Sequence, residues 1–114
     1  YAGSGGDEVF IGYRFMIYKR SDELEKLILK YAFHGRYPEL VISNCLGIEV
    51  IAPYLTDEVL NTALKIPVTC LRGHLMRGKE VLRLILESLG LDFIANRVKT
   101  PAESGAGTDI LSSL

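Results

Sequence analysis

Residues 3–13 read Gly3-Ser4-Gly5-Gly6-Asp7-Glu8-Val9-Phe10-Ile11-Gly12-Tyr13. Three glycines and a serine ahead of two acids describe a loop that takes positive φ and lets a ligand approach the backbone closely. Residues 10–18 are apolar and aromatic-rich, and their pattern fits either a strand or a buried helix. From there the chain is written in helical periods. Residues 22–33 put Leu24, Leu27, Ile28 and Tyr31 on one face, with Asp22 and Glu25 spaced as a capping box and Gly35 as the stop. Residues 37–53 read as a short helix and loop. Thr56 is an N-cap with Asp57 and Glu58 in the first turn, and Val59, Leu60, Ala63 and Leu64 form the stripe that Pro67 ends. Residues 68–71 read as a short extended piece, and residues 72–79 as a loop. Residues 79–89 carry the strongest apolar stripe, Val81, Leu82, Ile85, Leu86 and Leu89, closed by Gly90. A short helix is expected at 92–96, a loop at 100–108 and one further turn at 109–114.

A chain of 114 residues with 48% hydrophobic and 24% charged residues suits one mainly α-helical globular domain. Thirteen Lys and Arg against fourteen Asp and Glu give a net charge of −1, which excludes a global basic field for nucleic acid. There is no uncharged apolar run of about 18 residues, so no membrane span is expected. Cys45 and Cys70 make neither a disulfide framework nor a metal set and are expected as small buried hydrophobes. With no secretory signal pattern, a reducing, cytoplasmic setting is expected. The glycine loop stands at the start with no strand ahead of it, from which a larger parent domain is expected.

The neutral balance is an average. Residues 7–58 hold Asp7, Glu8, Asp22, Glu23, Glu25, Glu39, Glu49, Asp57 and Glu58. Between Lys65 and Lys99, the cations Lys65, Arg72, Arg77, Lys79, Arg83, Arg97 and Lys99 outnumber Glu80, Glu87 and Asp92. A basic second half points to an anionic ligand, or simply to a solvated face.

Three phosphate-binding readings compete. Gly73-His-Leu-Met-Arg-Gly78-Lys79-Glu80 copies the spacing of a P-loop, G-x-x-x-x-G-K-[ST], up to the position that needs a magnesium-binding hydroxyl. A carboxylate there repels phosphate. Ser4-Gly5-Gly6-Asp7 is one residue short of the pyrophosphatase-type S-G-G-x-D-S loop and lacks its preceding strand. The third reading uses the order of several segments. Residues 3–13 resemble the S-G-E-G-A-D-E-L-F-G-G-Y segment of the asparagine synthetase family. Leu46-Gly47-Ile48-Glu49-Val50-Ile51-Ala52-Pro53-Tyr54-Leu55 is similar to its L-G-I-E-V-R-x-P-[FY]-L-D stretch. Gly78-Lys79-Glu80-Val81-Leu82-Arg83 is similar to G-K-x-x-L-R. Ile94-Ala95-Asn96-Arg97-Val98-Lys99, with Ser104-Gly105-Ala106-Gly107, resembles the closing I-A-x-R-x-K and S-G-x-G segments. Each motif is weak alone; four in the family's order across nearly the whole chain are specific.

The resemblance implies the helical C-terminal part (residues 1–114) of an α/β, ATP-pyrophosphatase-type adenine-nucleotide-binding domain. Its upstream ATP-loop part, on the same or a second polypeptide, would be the partner. The implied activity is ATP-dependent amide formation: a small-molecule carboxylate is activated as an acyl-adenylate with release of pyrophosphate, then attacked by ammonia or an amine. ATP and Mg are the implied cofactors. Asp7 matches the aspartate that helps bind magnesium and phosphates. Gly3, Ser4, Gly5 and Gly6 match the loop against the adenylate, and Lys79 matches the lysine that stabilises charge during acyl transfer. Arg83 lies one turn beyond Lys79 on the same face and suits either the nucleotide or an ion pair in the core. Arg97 and Lys99 could face the same anion. Three departures bear on the substrate: Ser4 stands where the family has Glu, Ile51 where it has Arg, and Thr56 where it has Asp. A non-catalytic helical interaction module diverged from that family is the alternative. The remaining polar residues read more plainly: His34 as a helix-end cation, His74 as a member of the basic loop, and Tyr13 and Tyr18 as core.

Overall fold

Helical periodicity and glycine stops build this chain. The computed structural model describes residues 1–100 and 106–107. The turn expected at 109–114, most of the 100–108 loop, and Ser104 and Gly105 of the closing motif lie outside the described residues. Within them there are α-helices α1 (Gly6–Val9), α2 (Arg14–Ile17), α3 (Ser21–His34), α4 (Pro38–Leu46), α5 (Asp57–Ala63), α6 (Val68–Arg72), α7 (Glu80–Ser88) and α8 (Asp92–Ala95), a 3₁₀ turn at Pro53–Leu55, and no strand. The mainly helical expectation therefore holds among the described residues.

Three sequence expectations need correction. The glycine loop does not stay a loop through Glu8: it turns into α1 at Gly6. Residues 68–71 are helical, because the fixed φ of Pro67, −56°, starts α6 as readily as proline ends α5. Asp22 does not cap α3. Arg20 holds the N-cap position, and Asp22 pairs with it instead, Nη2 to Oδ2, 2.7 Å.

Other boundaries follow their signals. Thr56 caps α5, its Oγ1 accepting from the Val59 N–H at 3.4 Å. Gly90 closes α7 at φ +76°, with the Leu91 N–H on the Leu86 carbonyl and its own N–H on Glu87, the Schellman arrangement. Gly47 closes α4 in the same way, with Ile48 on Ser43 and Gly47 on Asn44.

The core gathers Val9, Phe10 and Ile11 from α1 and the turn after it, Met16 and Ile17 from α2, Leu24 and Ile28 from α3, Leu60 and Ala63 from α5, and Val68 and Leu71 from α6. α3 packs on α1 and α6, while α7 bridges α6 and α8. α4 buries none of its residues, leaving Val41, Ile42 and Leu46 exposed. On α7, Val81 and Leu82 pack against the core, but Leu84, Ile85 and Leu89 face outward. Among the described residues no helix is long and apolar enough to cross a membrane.

Candidate functional site

Asp7, in the first turn of α1, collects two cations from the far end of the chain. Its Oδ1 lies 2.8 Å from Lys79 Nζ, and its Oδ2 accepts from Lys99 Nζ at 3.2 Å. Oδ1 is sealed from solvent and outside hydrogen-bond alignment with Lys79, so that contact is an ion pair. The three side chains are a quarter to a third exposed, which leaves them open to a ligand.

Backbone geometry brings Lys79 there. Gly78 and Lys79 both adopt left-handed φ, +74° and 53°. Gly78 lies against the turn after α1 so closely that a β-carbon on it would fall 2.1 Å from the Ile11 carbonyl oxygen. The Lys79 N–H then donates to Phe10 O at 3.0 Å. Gly12 supplies the remaining room. A β-carbon there would sit 2.0 Å from Asp7 Oδ1 and 2.5 Å from Lys79 Cε. Ile11 is left-handed at φ 58° and fully buried, an unfavourable conformation for a β-branched residue, and it stands where the family motif has Gly. Sequence reading missed Gly12 and Ile11 as determinants of this geometry. The signal was Gly12 inside the first motif, beside a β-branched residue.

Burial opposes ionisation of Asp7, but Lys79 and then Lys99 outweigh it and hold the carboxyl below its ordinary value of 3.8. Asp7 is thus an anion at neutral pH, flanked by two ammonium groups.

Arg83 is the other buried polar feature. Its guanidinium donates from Nε to Gly78 O at 3.0 Å and from Nη1 to Ala95 O at 2.7 Å and Arg97 O at 2.8 Å. It therefore clamps the loop bearing Lys79 to the segment leading to Lys99. Neither a nucleotide nor a core carboxylate is needed to account for it. Burial, then the like charge of Arg77, lower its basicity.

The glycine loop is packed differently from what a ligand cradle suggests. Gly5, at φ +89°, has Leu55 where a β-carbon would be, with Leu55 Cδ2 at 2.4 Å; Gly6 lies against the Tyr54 ring. The Gly5–Leu55 and Gly6–Tyr54 contacts dock the first two resemblance segments on each other, and just ahead of them the Ala2 N–H donates to Ile51 O at 2.8 Å. Gly3 alone of these faces open space. Ser4 is buried and its hydroxyl donates to the Glu39 carboxylate, which that bond holds below its usual range.

Glu8 accepts from the Tyr13 hydroxyl at 2.6 Å; that bond, with burial, pushes the Tyr13 phenol up. Tyr13 is half-buried against the core, whereas Tyr18 is exposed, against expectation. Cys45 and Cys70 are both exposed, correcting their reading as buried hydrophobes. His34 ends α3 as expected, and His74 is exposed in the loop. In the P-loop-like stretch, the Glu80 carboxylate folds against Gly73 and pairs with Arg77 at 3.0 Å, filling the loop that a phosphate would enter.

Beside the ion cluster lies a cavity of about 450 Å³ whose lining includes Tyr54, Lys79, Leu82, Ile94, Arg97 and Lys99. Its lining combines the cations Lys79, Arg97 and Lys99 with apolar side chains, which suits an anion with an uncharged body. Among the described residues no group of three or more His, Cys, Asp or Glu could hold a metal ion. Asp7 alone offers a hard carboxylate, which fits magnesium only in the mode where phosphate oxygens and water complete the shell. Comparison of the chain with protein-family models, with curated proteins and with solved structures finds no match in any of the three.

Proposed function

We propose that this chain is the helical part of an ATP-dependent amide-forming synthetase domain of asparagine synthetase type. One observation carries the reading. Asp7, Lys79 and Lys99 lie in three separate segments singled out by resemblance, and they converge on one carboxylate beside a cavity. Motif matches arising by chance have no reason to meet.

In this reading a substrate carboxylate oxygen attacks the α-phosphorus of ATP, forming the acyl–phosphate bond as pyrophosphate leaves. Lys79 Nζ would balance charge on the phosphoryl oxygens. Ammonia or an amine then attacks the acyl carbon, AMP leaves with the bonding electron pair, and the amine's proton goes to solvent. Asp7 would hold magnesium, which neutralises phosphate charge when bound. Lys99 fixes the Asp7 carboxylate from its other oxygen. Arg83 positions both lysines through the Gly78, Ala95 and Arg97 carbonyls.

The outward faces of α4 and α7 support a larger assembly, since apolar side chains grouped on two helices mark a surface for a partner. We assign that partner as the ATP-binding segment of the same domain. The same bare α4 also favours the second reading, a non-catalytic interaction module. Lys79→Ala in the assembled domain separates them: a synthetase loses most of its amide formation, about 100-fold or more, whereas an interaction module has no activity to lose.

A further inference from the structure

A second cavity of about 290 Å³ shares Arg83, Arg97, Val98 and Lys99 with the first. Among the described residues, every charged residue lining it is a cation: Arg14, Arg77, Arg83, Arg97 and Lys99. Three of them have partners. Arg77 donates to Asn96 Oδ1 at 2.8 Å and pairs with Glu80, Arg83 is spent on carbonyls, and Lys99 reaches Asp7. The side chains of Arg14 and Arg97 make no ion pair among the described residues. Cations are therefore collected around a concave space with no carboxylate in its lining among the described residues, and like charges in one cleft raise the local concentration of anions. The depression of Arg83 by Arg77 is in keeping with that crowding.

We propose that this cavity is a binding site for a phosphoryl anion, distinct from the Asp7–Lys79 cluster. Guanidinium groups match phosphoryl oxygens in planar, two-point geometry, which favours phosphate over halide. Beside the cations and Asn96, the wall carries apolar Ile17, Met76 and Val98, and the exposed ring of Tyr18 offers a face on which a nucleobase stacks. The phosphoryl group has two sources, inorganic pyrophosphate or a nucleotide, and both use the same cations. This assignment stands independently of the synthetase reading. Arg14 and Tyr18 line only this cavity, while Lys79 and Tyr54 line only the other.

Calorimetric titration of the full chain at constant ionic strength tests it, using pyrophosphate, ADP and sulfate. Pyrophosphate is expected to bind in preference to sulfate. Arg14→Ala is expected to weaken it about tenfold or more, with Arg14→Glu weaker still, and Arg20→Ala, a surface arginine outside both cavities, to leave it unchanged. ADP binding tighter than pyrophosphate, with the difference lost in Tyr18→Ala, assigns the nucleotide; equal binding assigns the inorganic anion. Arg14 is exposed, and circular dichroism verifies that its variants stay folded. Absent binding, equal binding of sulfate, or affinity indifferent to both Arg14 variants overturns the proposal. So does loss in Lys79→Ala alone, which would move phosphate binding to the Asp7 cluster and leave the synthetase reading standing.

Discussion

Gly12 and Lys79 approach so closely that a β-carbon on the glycine would lie 2.5 Å from Lys79 Cε. The contact is steric, and on the other side the same β-carbon meets Asp7 Oδ1 at 2.0 Å. Gly12→Ala is expected to force the ion pair apart and destabilise the chain by about 1–3 kcal/mol. Urea unfolding reads the change; an unaltered midpoint would mean that the two loops are not in contact.

Arg83 binds three carbonyls from two segments. Its loss leaves buried acceptors unpaired, so Arg83→Ala should cost about 2–4 kcal/mol. Arg83→Lys should recover little of that, because one ammonium cannot span the Gly78, Ala95 and Arg97 carbonyls. Full recovery by lysine would show that charge, not the planar fork, is what matters.

Ile11 sets two effects against each other. Its left-handed backbone costs about 1–2 kcal/mol, while its buried side chain contributes about 2–4 kcal/mol. Ile11→Gly relieves the first and loses the second. Ile11→Ala loses most of the second and keeps the first. Glycine should therefore be the milder substitution by about 1 kcal/mol, the reverse of the usual order. Thermal melts of the two variants decide it, and alanine proving milder would refute the left-handed assignment.

Asp7 makes acid stability measurable. Its carboxyl is held below 3.8 in the folded chain, so its contribution is fully present above the unfolded value and is lost as the pH falls from 3.8 through the lower folded value. The Asp7, Lys79 and Lys99 side chains are only partly buried, so the contribution is about 1 kcal/mol or less. Asp7→Asn should lower stability at pH 7 and flatten this acid limb. Parallel stability–pH curves for the two proteins would remove the ion pair from the account.

The helices were legible where a signal is local. Thr56 is a side-chain cap and Gly90 supplies a left-handed stop, and both need only neighbouring residues. Residues 68–71 were misread because proline marks a boundary without saying what begins after it. The stripe on α7 was visible as a period, but periodicity does not say what covers it, and Ile85 and Leu89 remain outside. Cys45 and Cys70 follow the same logic: composition favours burial, and the helix phase puts both outside. At the site, resemblance pointed to Asp7 and Lys79. Their meeting depends on Gly12, Gly78 and Ile11, whose role is a contact between loops far apart in sequence, and no spacing rule encodes that.

The central claim is that the Asp7–Lys79–Lys99 cluster serves formation of an acyl-adenylate. Carboxylate-dependent exchange of labelled pyrophosphate into ATP, by the native assembly containing this chain, tests it most directly. The account predicts exchange by the assembly, its loss in Lys79→Ala, and none by the chain alone. Robust exchange by the isolated chain, or undiminished exchange in the Lys79→Ala assembly, would contradict it.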